Sequence, residues 1–449
     1  MRVHFIAIGG AIMHNLAIVL HRQGHLVTGS DDKIADPAKT NLEQEGLYPK
    51  TIGFFEERVT PDIEAIILGM HAHKDNPELL KAQELNLKIY SFPEFIYEIS
   101  KNKKRVAIAG SHGKTSITSM IMHVLRECNF DFDYMVGAAV KGFDTAVKLS
   151  TDAPLIILEA DEYLASPINM ESKFMFYKPH ISLVSGVAWD HINVFPVYEG
   201  YVNQFRKFVS TTSDAIVFYK GDKEMEQIMK EYNGTAKVIP YDTPQFKIEN
   251  EQTYIINDGE YKLSVFGTHN LQNIEGARLV CEQLGVSKKD FLTAIQSFEG
   301  AANRLQKLAE KDGFVVFKDF AHSPSKLKAT VAAAKAQYAN RKLIAVMELH
   351  TYSSLNKDFW HEYEGSMDAA EEAIVFVDKE ALKLKRMPDL DTTEVIRSFG
   401  KEGITVIQDK EELKKKLLTL NFDNSVLLLM TSGTFGGTDL NGLLKELGV

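Results

Sequence analysis

Three segments carry residue types and spacings suited to handling phosphate. The first is Gly110-Ser111-His112-Gly113-Lys114-Thr115-Ser116, between the β-rich run 106–110 and a helix expected from about Ser116. Glycines let backbone N–H groups turn inward and cradle phosphate oxygens. A lysine at this point reaches the β- and γ-phosphates, the next hydroxyl suits Mg²⁺, and the helix N-terminus adds partial positive charge. Position 108 is isoleucine, where the common eight-residue phosphate loop has glycine, so alone the segment also fits a plain structural turn. The second segment is Glu159-Ala160-Asp161-Glu162, at the end of the run LIILE (155–159). Strand C-termini in an α/β sheet face the ligand crevice, so these carboxylates can meet the same phosphates through Mg²⁺; as isolated acids they would be solvated charges. The third is Trp189-Asp190-His191, after ISLVSGV (181–187). A histidine after a strand is often structural, yet here it adds a third polar group at one edge. The chemistry this set suits is holding a phosphate group, with a divalent cation bridging it to the carboxylates.

The elements around these residues alternate. Residues 3–8, Gly9-Gly10, an apolar-periodic stretch 11–21 and a strand 25–29 ending near Ser30-Asp31 make a nucleotide-binding βαβ pattern. A dinucleotide site of the dehydrogenase kind is the bland alternative. Its full G-x-G-x-x-G is absent, because Ala7 and Ile12 replace the first and last glycines. A strand at 65–69 and the turn HAHKDNPE follow, and the charged run 101–105 reads as a solvated linker. The stretch 215–266 is more polar, with short alternating segments, before a helix 270–284 and the segment 291–298. Strands are expected at 314–320, 342–348, 373–377, 404–408 and 425–432, with helices at 324–338 and 410–418. Strand–helix alternation throughout predicts α/β domains with largely parallel sheets.

Composition sets outer limits. A chain of 449 residues suggests about three domains. Its net charge of −10 argues against a nucleic-acid or membrane-surface binder. Cys128 and Cys281, both in helical patterns, read as reduced core thiols. The apolar N-terminus is broken by His4, Gly9, Gly10, His14 and Asn15 and has no cleavage-type motif. The expectation is a cytoplasmic protein.

These segments resemble the Mur ligase family, enzymes that add amino acids or peptides to the nucleotide-linked muramic acid of peptidoglycan. AGSHGKTSIT (109–118) resembles the family's short ATP loop. LEADEYLAS (158–166) resembles its Mg²⁺-binding strand end, with Glu159 as ligand, and WDHINVF (189–195) its Asp-His element, with His191 as a ligand alongside Thr115. FGTHNLQN (266–273) resembles the stretch that contacts adenine, through His269, Asn270 and Asn273. NRLQ (303–306) matches the domain-junction arginine, Arg304. DFAHSPSKLKA (319–329) matches a third-domain motif, putting Asp319 on the ATP ribose and His322 near the reaction centre.

The resemblance implies a three-domain architecture: a Rossmann-like domain (1–102) for UDP-N-acetylmuramate, a P-loop ATPase-like domain (103–303) for ATP, and a Rossmann-like domain (304–449) for the acceptor. It implies ATP and Mg²⁺ as cofactors, and Lys114, Glu159, His191, Arg304 and His322 as the catalytic set. A substrate carboxylate attacks the γ-phosphate, ADP leaves, and an amine displaces phosphate from the acyl phosphate. Arg304 and Asp319 beside the third domain imply closure over ATP before chemistry. Several family members carry a carbamylated lysine fourteen residues after the metal histidine; that position here is Phe205, with Lys207 two residues on. The implied partners are UDP-N-acetylmuramate and a small peptide or amino acid, and the implied assembly is a monomer or weak homodimer.

AIGGAIMHNLA (7–17) resembles the signature of the branch that binds UDP-N-acetylmuramate directly. This implies Ile8, Gly9, Gly10 and Met13 at the nucleotide, with Ser30, Asp31, His71 and Asn76 nearby. Two acceptors stay open. Ile12, DFAHSP and MTSGTFGG (430–437) resemble the recycling branch, whose acceptor is L-alanyl-γ-D-glutamyl-meso-diaminopimelate, whereas the His-x-Tyr of ELHTYSSLNKDF (348–359) resembles the L-alanine branch. The tripeptide is the favoured expectation, with His350, Tyr352, Ser353 and Thr434 lining a roomier acceptor pocket. A non-catalytic nucleotide-binding regulator is the third alternative, opposed by the intact Lys114, Glu159, His191 and Arg304.

Overall fold

Runs rich in Val, Ile and Leu become parallel strands covered on both faces, as near-continuous apolar segments must. The computed structural model describes residues 1–189, 194–385 and 387–449. It divides into two units, Met1–Asp242 with Gln272–Ile295 and Thr243–Leu271 with Gln296–Val449.

The first unit contains two parallel sheets. In one, Arg2–Ile6 is flanked by Leu26–Ser30 on one side and by Ala65–Leu68, then Ile89–Ser91, on the other. The crossover helix Ala11–Arg22 buries Met13, Leu16, Ala17 and Leu20, the i, i+3, i+4, i+7 stripe of an amphipathic helix. The chain leaves the central strand in both directions, so Ala7–Gly10 and Gly69 lie at a topological switch point. The other sheet runs Lys237–Tyr241, Ala215–Tyr219, Ile181–Val184, Lys104–Ala109, Leu155–Glu159, Asp133–Met135, Val147–Lys148, and only the last strand pairs antiparallel. Here too the strand before the phosphate loop has neighbours formed later in the chain on both sides.

The expected linker at 101–105 is a correction. The strand starts at Lys104, and Lys103 and Arg105 are buried. Lys103 Nζ donates to Asp133 Oδ2 at 2.7 Å and to the carbonyls of Ser150 and Ala153. The Arg105 guanidinium donates to the carbonyls of Ser100, Tyr177 and Lys178. Buried cations persist when paired and hydrogen-bonded, and a charge run in sequence does not display those partners.

In the second unit six strands run Gln306–Lys311, Phe314–Asp319, Ser425–Met430, Lys342–Glu348, Glu372–Phe376, Thr405–Ile407, with only the first antiparallel. Alternate residues feed two cores: Val315, Phe317, Ala345, Met347 and Leu428 on one face, Val316, Ile344, Val346 and Leu427 on the other. The polar stretch 215–266 serves both units. Its first strands extend the seven-stranded sheet, while Phe246–Glu249, Gln252–Ile256 and Glu260–Lys262 form a separate antiparallel sheet in the second unit. Cys128 and Cys281 are both free thiols, but only Cys281 is a core residue; Cys128 is half-buried at the cap of the helix Lys114–Glu127. Among the described residues, no helix is long and apolar enough to cross a membrane.

Candidate functional site

The phosphate loop leaves the strand Lys104–Ala109 through Gly110, whose φ of +121° belongs to glycine. A methyl there would overlap Ser185 Oγ and lie 2.8 Å from Ser185 N. Gly113 also has positive φ, +77°, and a methyl on it would strike the buried Asn273 side chain. The helix Lys114–Glu127 starts two residues earlier than expected, so its first turn follows the loop directly.

Lys114 Nζ donates to Gly110 O and to Glu162 Oε2, both at 2.8 Å. Burial disfavours its ammonium, but Glu162, Asp161 and Glu159 outweigh burial and hold its pKa above the ordinary lysine value. Thr115 Oγ1 donates to Glu159 Oε1 at 2.9 Å, and Gly137 N–H donates to Glu159 Oε2 at 2.7 Å. A hydroxyl and a carboxylate oxygen meeting at a phosphate loop are hard donors of the kind Mg²⁺ takes alongside water and phosphate. The residues present therefore fit that ion. His191 and Asp190 lie outside the described residues. Ser111 and Ser116 are buried and His112 half-buried, and the His112 carbonyl accepts from Ser185 Oγ. Phe205 is fully buried against Phe174 and Tyr201, whereas Lys207 is half-exposed with Nζ 4.0 Å from Glu171.

At the first sheet, Gly9 N–H donates to Asp31 Oδ2 at 2.7 Å. Burial raises the Asp31 pKa against the lowering effect of that bond. Ile8 and Met13 are core side chains, so only their backbone is available to a ligand. Asn76 is the N-cap of Pro77–Glu84, accepting from Glu78 N and Leu79 N. Ser30 donates to Glu78 Oε1 at 2.6 Å, and the same carboxylate meets His4 and Phe55 N. His71 is exposed. Glu78, which sequence reasoning missed, thus anchors the end of Leu26–Ser30; a glutamate inside an exposed-looking helical turn gives no sign of burial.

In the second unit, Asp319 accepts from Leu305 N at 2.7 Å, Ala321 N at 2.8 Å and Thr330 Oγ1 at 3.2 Å. Most of its acceptor capacity is committed to holding the turn. Burial lowers the pKa of the neighbouring His269, against the pull of Asp319. Asn270 Nδ2 donates to Phe266 O, while Arg304 stacks 4.7 Å from the Phe320 ring and donates to Asn303 O. His322 Nδ1 lies 2.8 Å from Phe320 O.

Two adjacent strand ends of this sheet form a further polar cluster. Glu348, buried to 1% exposure, accepts through Oε2 from Phe435 N at 2.9 Å and from the Thr431 hydroxyl, and its Oε1 is 3.7 Å from His350 Nδ1. A methyl on Gly433 would lie 2.7 Å from His350 Nδ1. Tyr352 and Thr434 are exposed, Ser353 is half-buried, and Lys385 Nζ sits 4.7 Å from the Tyr352 ring. Glu348 was also missed, because it closes an otherwise apolar strand.

Comparison with known proteins covers the same ground. The model of the Mur ligase family catalytic domain matches residues 2–104, that of the Mur ligase middle domain 108–281, and that of the Mur ligase glutamate ligase domain 303–433. A UDP-N-acetylmuramate–L-alanine ligase of Caldicellulosiruptor bescii is 32% identical over 391 residues, 83% of this chain and 82% of that protein. The UDP-N-acetylmuramate–L-alanyl-γ-D-glutamyl-meso-2,6-diaminoheptandioate ligase of Escherichia coli is 28% identical over 364 residues, 78% and 79% of the two chains. The crystal structure of a UDP-N-acetylmuramate–alanine ligase from Thermotoga maritima superposes with a TM-score of 0.73 at 19% identity, covering 100% of this chain and 98% of that one.

Proposed function

The chain belongs to the Mur ligase family of ATP-dependent amide ligases, and from that premise we propose that it joins UDP-N-acetylmuramate to L-alanyl-γ-D-glutamyl-meso-diaminopimelate. In this reading residues 1–102 take the nucleotide sugar, 103–303 ATP and 304–449 the acceptor. Gly9, Gly10 and Asp31 receive the uridine diphosphate, and Gly110–Ser116 the ATP phosphates. Lys114 moves from Glu162 onto the γ-phosphate, and Arg304 adds positive charge. The substrate carboxylate attacks phosphorus, the bond to ADP breaks, and the acceptor amine then displaces phosphate from the acyl phosphate. Thr115 and Glu159, with His191, would hold Mg²⁺, which supplies charge neutralisation on the phosphates.

The observation that carries the acceptor choice is the latch between Glu348 and the MTSGTFGG segment. It fixes the loop beside His350, with Tyr352, Thr434 and Lys385 on the accessible side. Exposed polar groups and a lysine suit a peptide carrying three carboxylates better than one small amino acid. The second reading, L-alanine as acceptor, is favoured by the 32% identical relative and by His350-Thr351-Tyr352. Phosphate release with ATP and UDP-N-acetylmuramate, comparing the tripeptide with L-alanine, separates the two. Preferred turnover of L-alanine would overturn the tripeptide reading.

A further inference from the structure

Tyr201 is fully buried on the helix Tyr198–Ser210, in contact with the rings of Phe195 and Phe205 at 5.5 and 5.3 Å. A phenol in an aromatic nest needs a partner for its hydroxyl, and Ser111 and Glu162 both serve among the described residues. Tyr201 OH donates to Glu162 Oε1 at 2.9 Å and lies 2.8 Å from Ser111 Oγ. Glu162, ion-paired with Lys114, can only accept. The phenol proton therefore points at Glu162, and the Ser111 proton must point at Tyr201. Ser111 Oγ in turn accepts Ala188 N–H at 2.8 Å. The chain is directed throughout: Ala188 to Ser111 to Tyr201 to Glu162, whose other oxygen holds Lys114.

We infer that Tyr201 is a positioning residue for the phosphate loop, fixing Ser111 and sharing the charge of Glu162 so that Lys114 can transfer to a nucleotide. The inference rests on the reading that this loop takes ATP. Removing the hydroxyl withdraws a donor from Glu162, concentrates its charge on Lys114 and releases Ser111. ATP must then compete harder for the lysine. Neutralising Glu162 removes the charge through which Tyr201 acts, so the two substitutions cannot act independently.

The test is equilibrium titration of the full chain with ATP and Mg²⁺ for Tyr201→Phe, Glu162→Gln and the double variant. A hydrogen bond to a charged group supports an expected weakening of about tenfold for Tyr201→Phe, with UDP-N-acetylmuramate affinity changed less than about twofold, since a general packing defect would weaken both. In the Glu162→Gln background the same substitution should cost less than about threefold. Multiplicative effects, or unchanged ATP affinity in Tyr201→Phe, would overturn the assignment. Should Tyr201→Phe fail to fold, Ser111→Ala breaks the chain one link earlier, and its effect must likewise shrink in Glu162→Gln. An unaltered chain that binds no ATP defeats the nucleotide reading itself, an outcome separate from loss of coupling between the variants.

Discussion

Gly110→Ala is the sharpest perturbation of the phosphate loop, because backbone atoms oppose it as well as a movable side chain. At φ +121° an alanine occupies a region close to glycine-only, costing about 1–3 kcal/mol. Its methyl would also lie 2.8 Å from Ser185 N and 3.2 Å from Gly186 N. Rotating the Ser185 side chain relieves neither contact. The strand ends must separate, which puts two hydrogen bonds at risk: Ser185 N–H to Ala109 O at 3.1 Å and Ser111 N–H to Gly186 O at 3.0 Å. At roughly 0.5–1.5 kcal/mol net each, the combined loss is about 2–6 kcal/mol. Urea unfolding measures it, and ATP titration of the folded fraction should show affinity weakened at least about tenfold. Adding Ser185→Ala should rescue little, since the hydroxyl is the lesser obstacle. A variant within about 0.5 kcal/mol of the unaltered chain, with unchanged ATP affinity, would refute the argument that this turn is glycine-dependent.

Two further outcomes concern the framework. Lys103→Met leaves Asp133 fully buried without its cation and should cost about 3–5 kcal/mol in urea unfolding, part of it recovered by adding Asp133→Asn; a loss under about 1 kcal/mol contradicts the burial argument. Burial would raise the pKa of Glu372, but Lys342 at 2.9 Å and Lys416 at 3.1 Å overcome it and hold the value below the ordinary 4.5. A depressed acid pKa stabilises fully above the ordinary value and loses that effect as pH falls through the folded value. Glu372→Gln should therefore be less stable than the unaltered chain at pH 7, by about 1 kcal/mol or less, and the gap should close below pH 4.5. A gap that persists into acid points to packing instead.

What sequence made legible was whatever is local. Strand–helix periodicity located the parallel sheets, and the glycines at 110 and 113 located a turn that only positive φ could make. Partners distant along the chain were not legible. Lys103 and Arg105 read as solvent-facing because Asp133 and the carbonyls at 177 and 178 join them only in the fold. Asn76 and Asp319 have ligand roles by resemblance alone; capping and recognition use the same side chains, and both are engaged with backbone N–H groups. Tyr201 drew no reading from sequence, since its ring is core and only the fold brings its hydroxyl to Glu162.

The same distinction bears on acceptor choice. His350-Thr351-Tyr352 and MTSGTFGG resemble different branches, and as separate strings they pull apart. In the fold they are joined through Glu348, which takes Phe435 N–H and the Thr431 hydroxyl on one oxygen and faces His350 with the other. With Gly433 leaving no room for a side chain beside the imidazole, the orientation of His350 depends on the loop. Under the proposed tripeptide reading, a histidine that resembles the alanine branch's would serve a different acceptor, because the loop would set which part of that acceptor it meets.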